Sequence, residues 1–208
     1  MNQEELYKKM NHARAQEETI RKQMDEAEAI DKEVADDPIL SLEEVTRQMA
    51  TGMIQYPEQN IRIRAVSFFD KHLCMPIPVD YLDRHTTEEN LAVLVNDALG
   101  ISLSLQYTVS EKKDVTFEQV KSGTIGQFKA AGVYLELLEE GWVEDENAPL
   151  YFMSYRMPKA GKIMYQLMFY AINQLDGTMI IGNYNCFYKD VKVWQNIMKA
   201  TMSYIDFR

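Results

Sequence analysis

The strongest constraint on the fold lies between residues 162 and 188, where two long apolar-rich runs flank Asp176-Gly177. An Asp-Gly pair between two β-like runs signals a hairpin, because the turn needs positive φ and these residues tolerate it. Lys162 to Gln174 and Thr178 to Tyr188 are therefore expected to pair antiparallel. In the first run one face reads Ile163, Tyr165, Leu167, Phe169, Ala171 and the other Met164, Gln166, Met168, Tyr170, Ile172. Neither face suits solvent, so the strand needs cover on both sides from helices, a second sheet or a partner chain. A helix expected from Asp190 presents Val191, Trp194, Met198 and Ile205 on one face, with Lys192 and Lys199 turned away. At roughly 1.5–3 kcal/mol per fully buried large apolar side chain, that face assigns the helix to the core.

A chain of 208 residues with 46% hydrophobic composition can bury a proper core. The formal net charge of −10 and the lack of a Lys/Arg cluster argue against nucleic-acid binding and a polybasic membrane patch. The N-terminus lacks the apolar segment of a signal peptide, and no run approaches the roughly 18 apolar residues of a spanning helix. The expectation is a soluble cytoplasmic protein without membrane insertion. Cys74 and Cys186 match no disulfide framework and read as buried free thiols.

From Gln3 to about Val34 the chain is charged and helical in composition. Leu6, Met10, Ala13, Ile20, Met24, Ala27 and Val34 fall on one seam, with Glu17 and Asp31 as faults in it. The seam suits either a solvated, loosely docked helix or a partner-binding arm that could also zip a homodimer. Asp36-Asp37-Pro38 ends it. Ser41 to Glu44 resembles a capping box opening a short second helix, which Gly52 and Pro57 close. This divides the chain into a helical arm and linker at 1–56 and a globular unit at 57–208. A strand is expected near Ile61, and a second from Leu73 to Val79, placed at an edge by Pro76 and Pro78. Thr86 to Glu89 reads as a capping box, with Leu91, Leu94, Val95 and Ala98 as the inward stripe of a helix ending at Gly100. Strand Ile101 to Tyr107 follows, then a helix opened by Thr116 to Gln119, then strands at about 132–140 and 150–157.

No nucleophile elbow, phosphate loop, dinucleotide fingerprint or zinc-protease motif is present, so no catalytic residue and no cofactor is assigned. Gly123 and Gly126 are expected to share a face where their helix approaches the sheet closely or bends. His72, Cys74, His85 and Cys186 are too few for a convincing metal site, and none is assigned. Glu136, Glu139, Glu140, Glu144, Asp145 and Glu146 read as a solvated acidic face able to select a basic partner. Thirteen methionines and twelve tyrosines are the compositional hint of binding. Met adapts to varied apolar partners, and Tyr adds contact area with a polar tip. Met164, Met168 and Tyr170 on the hairpin, with Leu6, Met10, Ile20 and Met24 on the arm, are the candidate partner-binding residues; ordinary core packing is the alternative.

The succession of elements over about 61–205 resembles the PsbP/Mog-type fold, in the stretch Phe69 to Pro78 and in Asp176 to Cys186 leading to Trp194. The resemblance implies an antiparallel sheet between helical layers and a binding role without catalysis. Members assist photosystem assembly or bind a small GTPase, and bacterial relatives include chaperones for proteins with apolar segments. No functional residue transfers, because the group has no shared catalytic set, and the lack of a transit segment argues against a photosynthetic role. The fold class expected is α+β, an antiparallel sheet with helices packed on its faces, preceded by an N-terminal helical arm. The function expected is a non-enzymatic adaptor or chaperone-like module for a protein partner. The alternatives are a small-ligand binder or enzyme with a cleft between sheet and helix, and a structural homo-oligomer joined by the arm.

Overall fold

The computed structural model describes residues 3–34, 40–57, 59–109, 116–144, 148–159, 162–173 and 177–207. The chain runs α1 (Gln3–Val34), α2 (Leu42–Met49), β1 (Met53–Gln55), β2 (Asn60–Phe68), β3 (Leu73–Pro78), β4 (Arg84–Thr87), β5 (Leu91–Asn96), β6 (Ile101–Val109), α3 (Phe117–Ala130), β7 (Glu136–Val143), β8 (Leu150–Lys159), β9 (Lys162–Ile172), β10 (Thr178–Phe187), α4 (Val191–Met202) and β11 (Asp206–Phe207). These strands form a four-stranded sheet, β1-β2-β3-β11, and a seven-stranded sheet, β4-β5-β6-β10-β9-β8-β7. The α+β architecture with an N-terminal helix is the one expected from the sequence.

The hairpin that dominates the sequence lies near the middle of the larger sheet, with β10 between β6 and β9. Gly177 supplies the positive φ (79°), and its N–H donates to the Asn173 carbonyl at 2.9 Å. Asp176 and Gln174 lie outside the described residues. The inner face of β9 and β10 packs on α4, which also touches β3 of the smaller sheet, so this helix lies between the two sheets. Val191, Trp194, Ile197 and Met198 are buried there as the periodicity requires. Ile205 lies beyond the helix, and Lys199 is not turned to solvent: its ammonium pairs with Glu139 of β7.

Three further expectations change. Residues 91–98 form no helix; β5 is a strand in a hairpin with β4, closed by Glu88 N–H donating to the Leu91 carbonyl at 2.7 Å. The stretch satisfies both periods, and burial of Ala92 and Leu94 with Leu91 exposed shows that period two prevails once β6 offers a partner. Gly123 and Gly126 approach nothing, since a Cβ at either would meet open space. Residues 42–56, read as part of the arm and linker, contribute Val45, Met49 and Ile54 to the main core, while α2 packs on α4 and β1 pairs with β2.

Proline placement in β3 follows from pairing. β11 reaches only Leu73 and Cys74, so Pro76 and Pro78 lie where the strand bonds β2 alone and a missing N–H on the far side costs nothing.

Candidate functional site

The outer face of the larger sheet, turned away from α4, is built by register. Across β7, β8 and β9, Trp142 stands opposite Tyr151 and Tyr151 opposite Tyr170; the next rows pair Met153 with Met168, Tyr155 with Gln166 and Met157 with Met164. Beyond β9 the face turns polar, with Asn183 and Asn185 of β10 opposite Ser104 and Ser102 of β6. Asn185 Nδ2 donates to Ser102 Oγ at 3.2 Å. The Oδ1 atoms of both asparagines and the hydroxyl of Tyr170 are buried without a hydrogen-bond partner among the described residues.

α3 lies over the aromatic and methionine rows. The Thr116 hydroxyl accepts from Gln119 N–H, and the Gln119 side chain accepts from Thr116 N–H, the capping box read in the sequence. Phe117 then stacks on Tyr151 (ring centroids 5.5 Å apart) and on Tyr170 (6.1 Å), which stack on each other at 5.2 Å. Further along, Thr124 approaches the Met168 sulfur at 3.9 Å and Phe128 packs on Tyr155. Lys121 ties the helix to Glu140 of β7 at 2.6 Å. None of the residues described in α3 is buried, in contrast to α4. The helix covers the face without sinking into it.

The acidic strand β7 is more internally engaged than its composition suggests. Glu136 accepts from Arg156 at 2.5 Å and from the Tyr134 hydroxyl at 2.6 Å, Glu139 pairs with Lys199, and Glu140 with Lys121. The expected solvated face is thus a set of latches from β8, α4 and α3 onto one edge strand. Asp145 and Glu146 lie outside the described residues. Burial, reinforced by Glu136, pushes the Tyr134 hydroxyl up to about 12. Burial, with Tyr151 and Glu118 adding to it, pushes Tyr170 up as well, so both phenols stay protonated.

Of the residues singled out in the sequence, Met164, Met168 and Tyr170 share this outer face; Met164 and Tyr170 are buried and Met168 is half-buried. On α1, Met10 and Met24 are exposed and Ile20 is half-buried. Leu6 lies within the helix, but its side chain is outside the described residues. The arm meets the body at the Tyr188–Asp190 turn, and the Gln16 amide lies beside Gly132. Trp142 escaped the sequence reading, which treated its neighbourhood as acidic surface, while Phe117 and Tyr151 were read only as parts of a helix and a strand and not as site residues. The Glu140-x-Trp142 alternation was the available signal.

The described residues hold no group of three or more His, Cys, Asp or Glu placed to bind a metal. His72 stacks on Tyr107, the His85 ring nitrogen Nε2 lies 2.6 Å from the Leu82 carbonyl, and burial pushes the Cys186 thiol up. A cavity of about 110 Å³ lined by Val143, Ala148, Leu150, Met202 and Phe207 falls well short of the roughly 300–1,000 Å³ of ligand sites. Among the described residues, no helix is long and apolar enough to cross a membrane.

No family model matches the sequence, and no curated protein matches it. Solved structures do. The solution structure of cyanobacterial PsbP from Synechocystis sp. PCC 6803 aligns with a TM-score of 0.50 at 10% identity, covering 74% of this chain and 98% of that one. A mutant of the protein Mog1 aligns at 0.50 and 11% identity over 71% of this chain and 96% of that one. The Ran-binding protein Mog1p of Saccharomyces cerevisiae aligns at 0.49 and 10% identity, with 71% and 96% covered. Identity this low speaks to fold alone, and the fold of this chain is the PsbP/Mog type.

Proposed function

We propose that this chain is a non-enzymatic, cytoplasmic protein-binding module, an adaptor or chaperone-like factor, that holds a protein partner on the outer face of its larger sheet. The observation that carries the reading is the mismatch between that face and its cover. Met153, Met157, Met164, Met168, Tyr151 and Tyr170 form an apolar bed, yet the helix above them buries none of its described residues. Trp142, at the end of the aromatic row, is 66% exposed. Flexible methionines and amphipathic aromatics suit a surface that accepts apolar segments of a partner, and a lightly held helix can shift to admit them.

The test is a photo-crosslinking residue placed at position 142 or at 168, with the captured protein identified by mass spectrometry. A discrete protein captured from both positions, and lost when Tyr151 is replaced by glutamate, supports the reading. Capture from α1 positions alone would move the partner site to the arm.

A second reading, in which the arm joins copies of the chain, is favoured by exposed Tyr7, Met10 and Met24 on α1. Light scattering on the full chain and on a chain lacking residues 1–34 decides it: a dimer that becomes a monomer on truncation supports association through the arm, and an unchanged state removes it.

A further inference from the structure

The row from Trp142 through Tyr151 to Tyr170, with Phe117 stacked over it, has a chemistry more specific than an apolar bed. Phe117, Tyr151 and Tyr170 stack at small interplanar angles of 12°, 20° and 19°. Trp142 extends the row to the edge strand with most of its surface in water. Aromatic faces carry negative quadrupole charge, and tryptophan is the best of them for holding a cation. The charges around the row reinforce this. Lys121 lies between two carboxylates, at 2.6 Å from Glu140 and 4.0 Å from Glu118, so these three charges of the rim sum to a negative one among the described residues. Glu118 keeps 73% of its side chain exposed. At the inner end, the buried Tyr170 hydroxyl has no hydrogen-bond partner among the described residues.

We propose that this aromatic row with its acidic rim recognises a lysine or arginine side chain on a basic segment of the protein partner, the aliphatic stem lying against Trp142 and Tyr151 and the charged head reaching Glu118. The proposal rests on the reading of the outer face as the partner-binding surface and names the chemistry of what it takes. An uncharged apolar segment would gain nothing from the rim, and an acidic one would be repelled by it and by the chain's net charge of −10. That net charge also steers a basic segment toward the molecule at low salt.

The test is fluorescence anisotropy on the full-length protein, with a labelled peptide of alternating arginine and serine and a counterpart in which glutamate replaces arginine. The arginine peptide is expected to bind and the glutamate peptide not to. Trp142→Ala preserves every charge and removes a side chain that is mostly in solvent, so the fold is expected to survive; it should weaken arginine-peptide binding about tenfold. Glu118→Gln should weaken it about two- to threefold. Equal binding by Trp142→Ala and wild type would overturn the proposal, because the attraction would then be diffuse. Equal binding of the two peptides would overturn it as well. The crosslink at position 168, which leaves Trp142 in place, separates this from the broader reading. Capture through a basic segment of the partner supports both; capture through a segment without lysine or arginine overturns the cation site and leaves the partner-binding face standing; no capture at all removes both.

Discussion

At the scale of single residues, two backbone features set costs that side-chain chemistry alone does not show. Phe69, Asp70 and Lys71 all have positive φ, at 53°, 51° and 75°, in the turn between β2 and β3. Each such residue costs on the order of 1–2 kcal/mol. Lys71 is exposed, so Lys71→Gly is expected to raise stability by about 0.5–1 kcal/mol after glycine's entropic cost is subtracted, seen as a higher urea midpoint with an unchanged slope. Gly182 does the opposite work: Phe169 lies across it from the neighbouring strand, and a Cβ there would overlap the ring. Phe169 is 1% exposed and has nowhere to move, so Gly182→Ala is expected to cost about 2–3 kcal/mol by the same measurement. Phe152 lies over Gly141 in a similar pairing between β7 and β8, in looser contact. Neither glycine is conspicuous in the sequence, because what each one meets comes from another strand.

At the scale of elements, α3 and α4 differ in how they are held. α4 is fixed by burial between the sheets, whereas α3 depends on its capping box, the Lys121–Glu140 pair and ring contacts along one side. Helices gain most of their stability from tertiary packing, so α3 should open locally without global unfolding. Its amides are expected to exchange with solvent at least tenfold faster than those of α4, and Thr116→Ala should speed α3 exchange further while leaving α4 unchanged, since a lost cap is worth about 1 kcal/mol. Equal protection of the two helices would contradict the account of α3 as a lightly held cover. The capping boxes show how far local sequence reaches. Thr116 and Gln119 form the real one, but Thr86 to Glu89 carries the same pattern and belongs to a strand and turn. A cap can start a helix only where the following residues lack a better partner, and β6 is that partner for β5.

At the scale of the whole molecule, the core is rich in tyrosines whose rings are buried. Burial raises the hydroxyls of Tyr56 and Tyr155 from 10.0 to about 12, and pushes Tyr165 and Tyr184 further in the same direction. In the unfolded chain these groups lose their protons near 10, while in the fold they keep them, so above that pH the folded state binds more protons and stability falls as pH rises. The contribution is fully present below about pH 10 and is lost progressively toward pH 12. Far-UV circular dichroism followed with tyrosinate absorbance is expected to show a component of the tyrosinate signal that appears only as structure is lost. A tyrosinate signal already complete before the loss of structure would mean that these hydroxyls reach solvent in the fold.

Neighbours along the chain suffice for the β9–β10 hairpin, the two-sided burial that forces a covered sheet, the apolar stripe of α4 and the cap of α3. Composition and local geometry decide these, because a strand apolar on both faces has no stable exposed form in water. Tertiary structure alone decided which cover each face receives. The aromatic row exists only because β7, β8 and β9 pair in a register that sets Trp142 opposite Tyr151 and Tyr151 opposite Tyr170. A one-residue slip would have sent Trp142 to the opposite face. The acidic strand likewise became a set of ion-paired latches once α3, α4 and β8 brought Lys121, Lys199 and Arg156 to it. Contacts between residues far apart in the chain are set by the summed packing of both sheets, which no local pattern encodes.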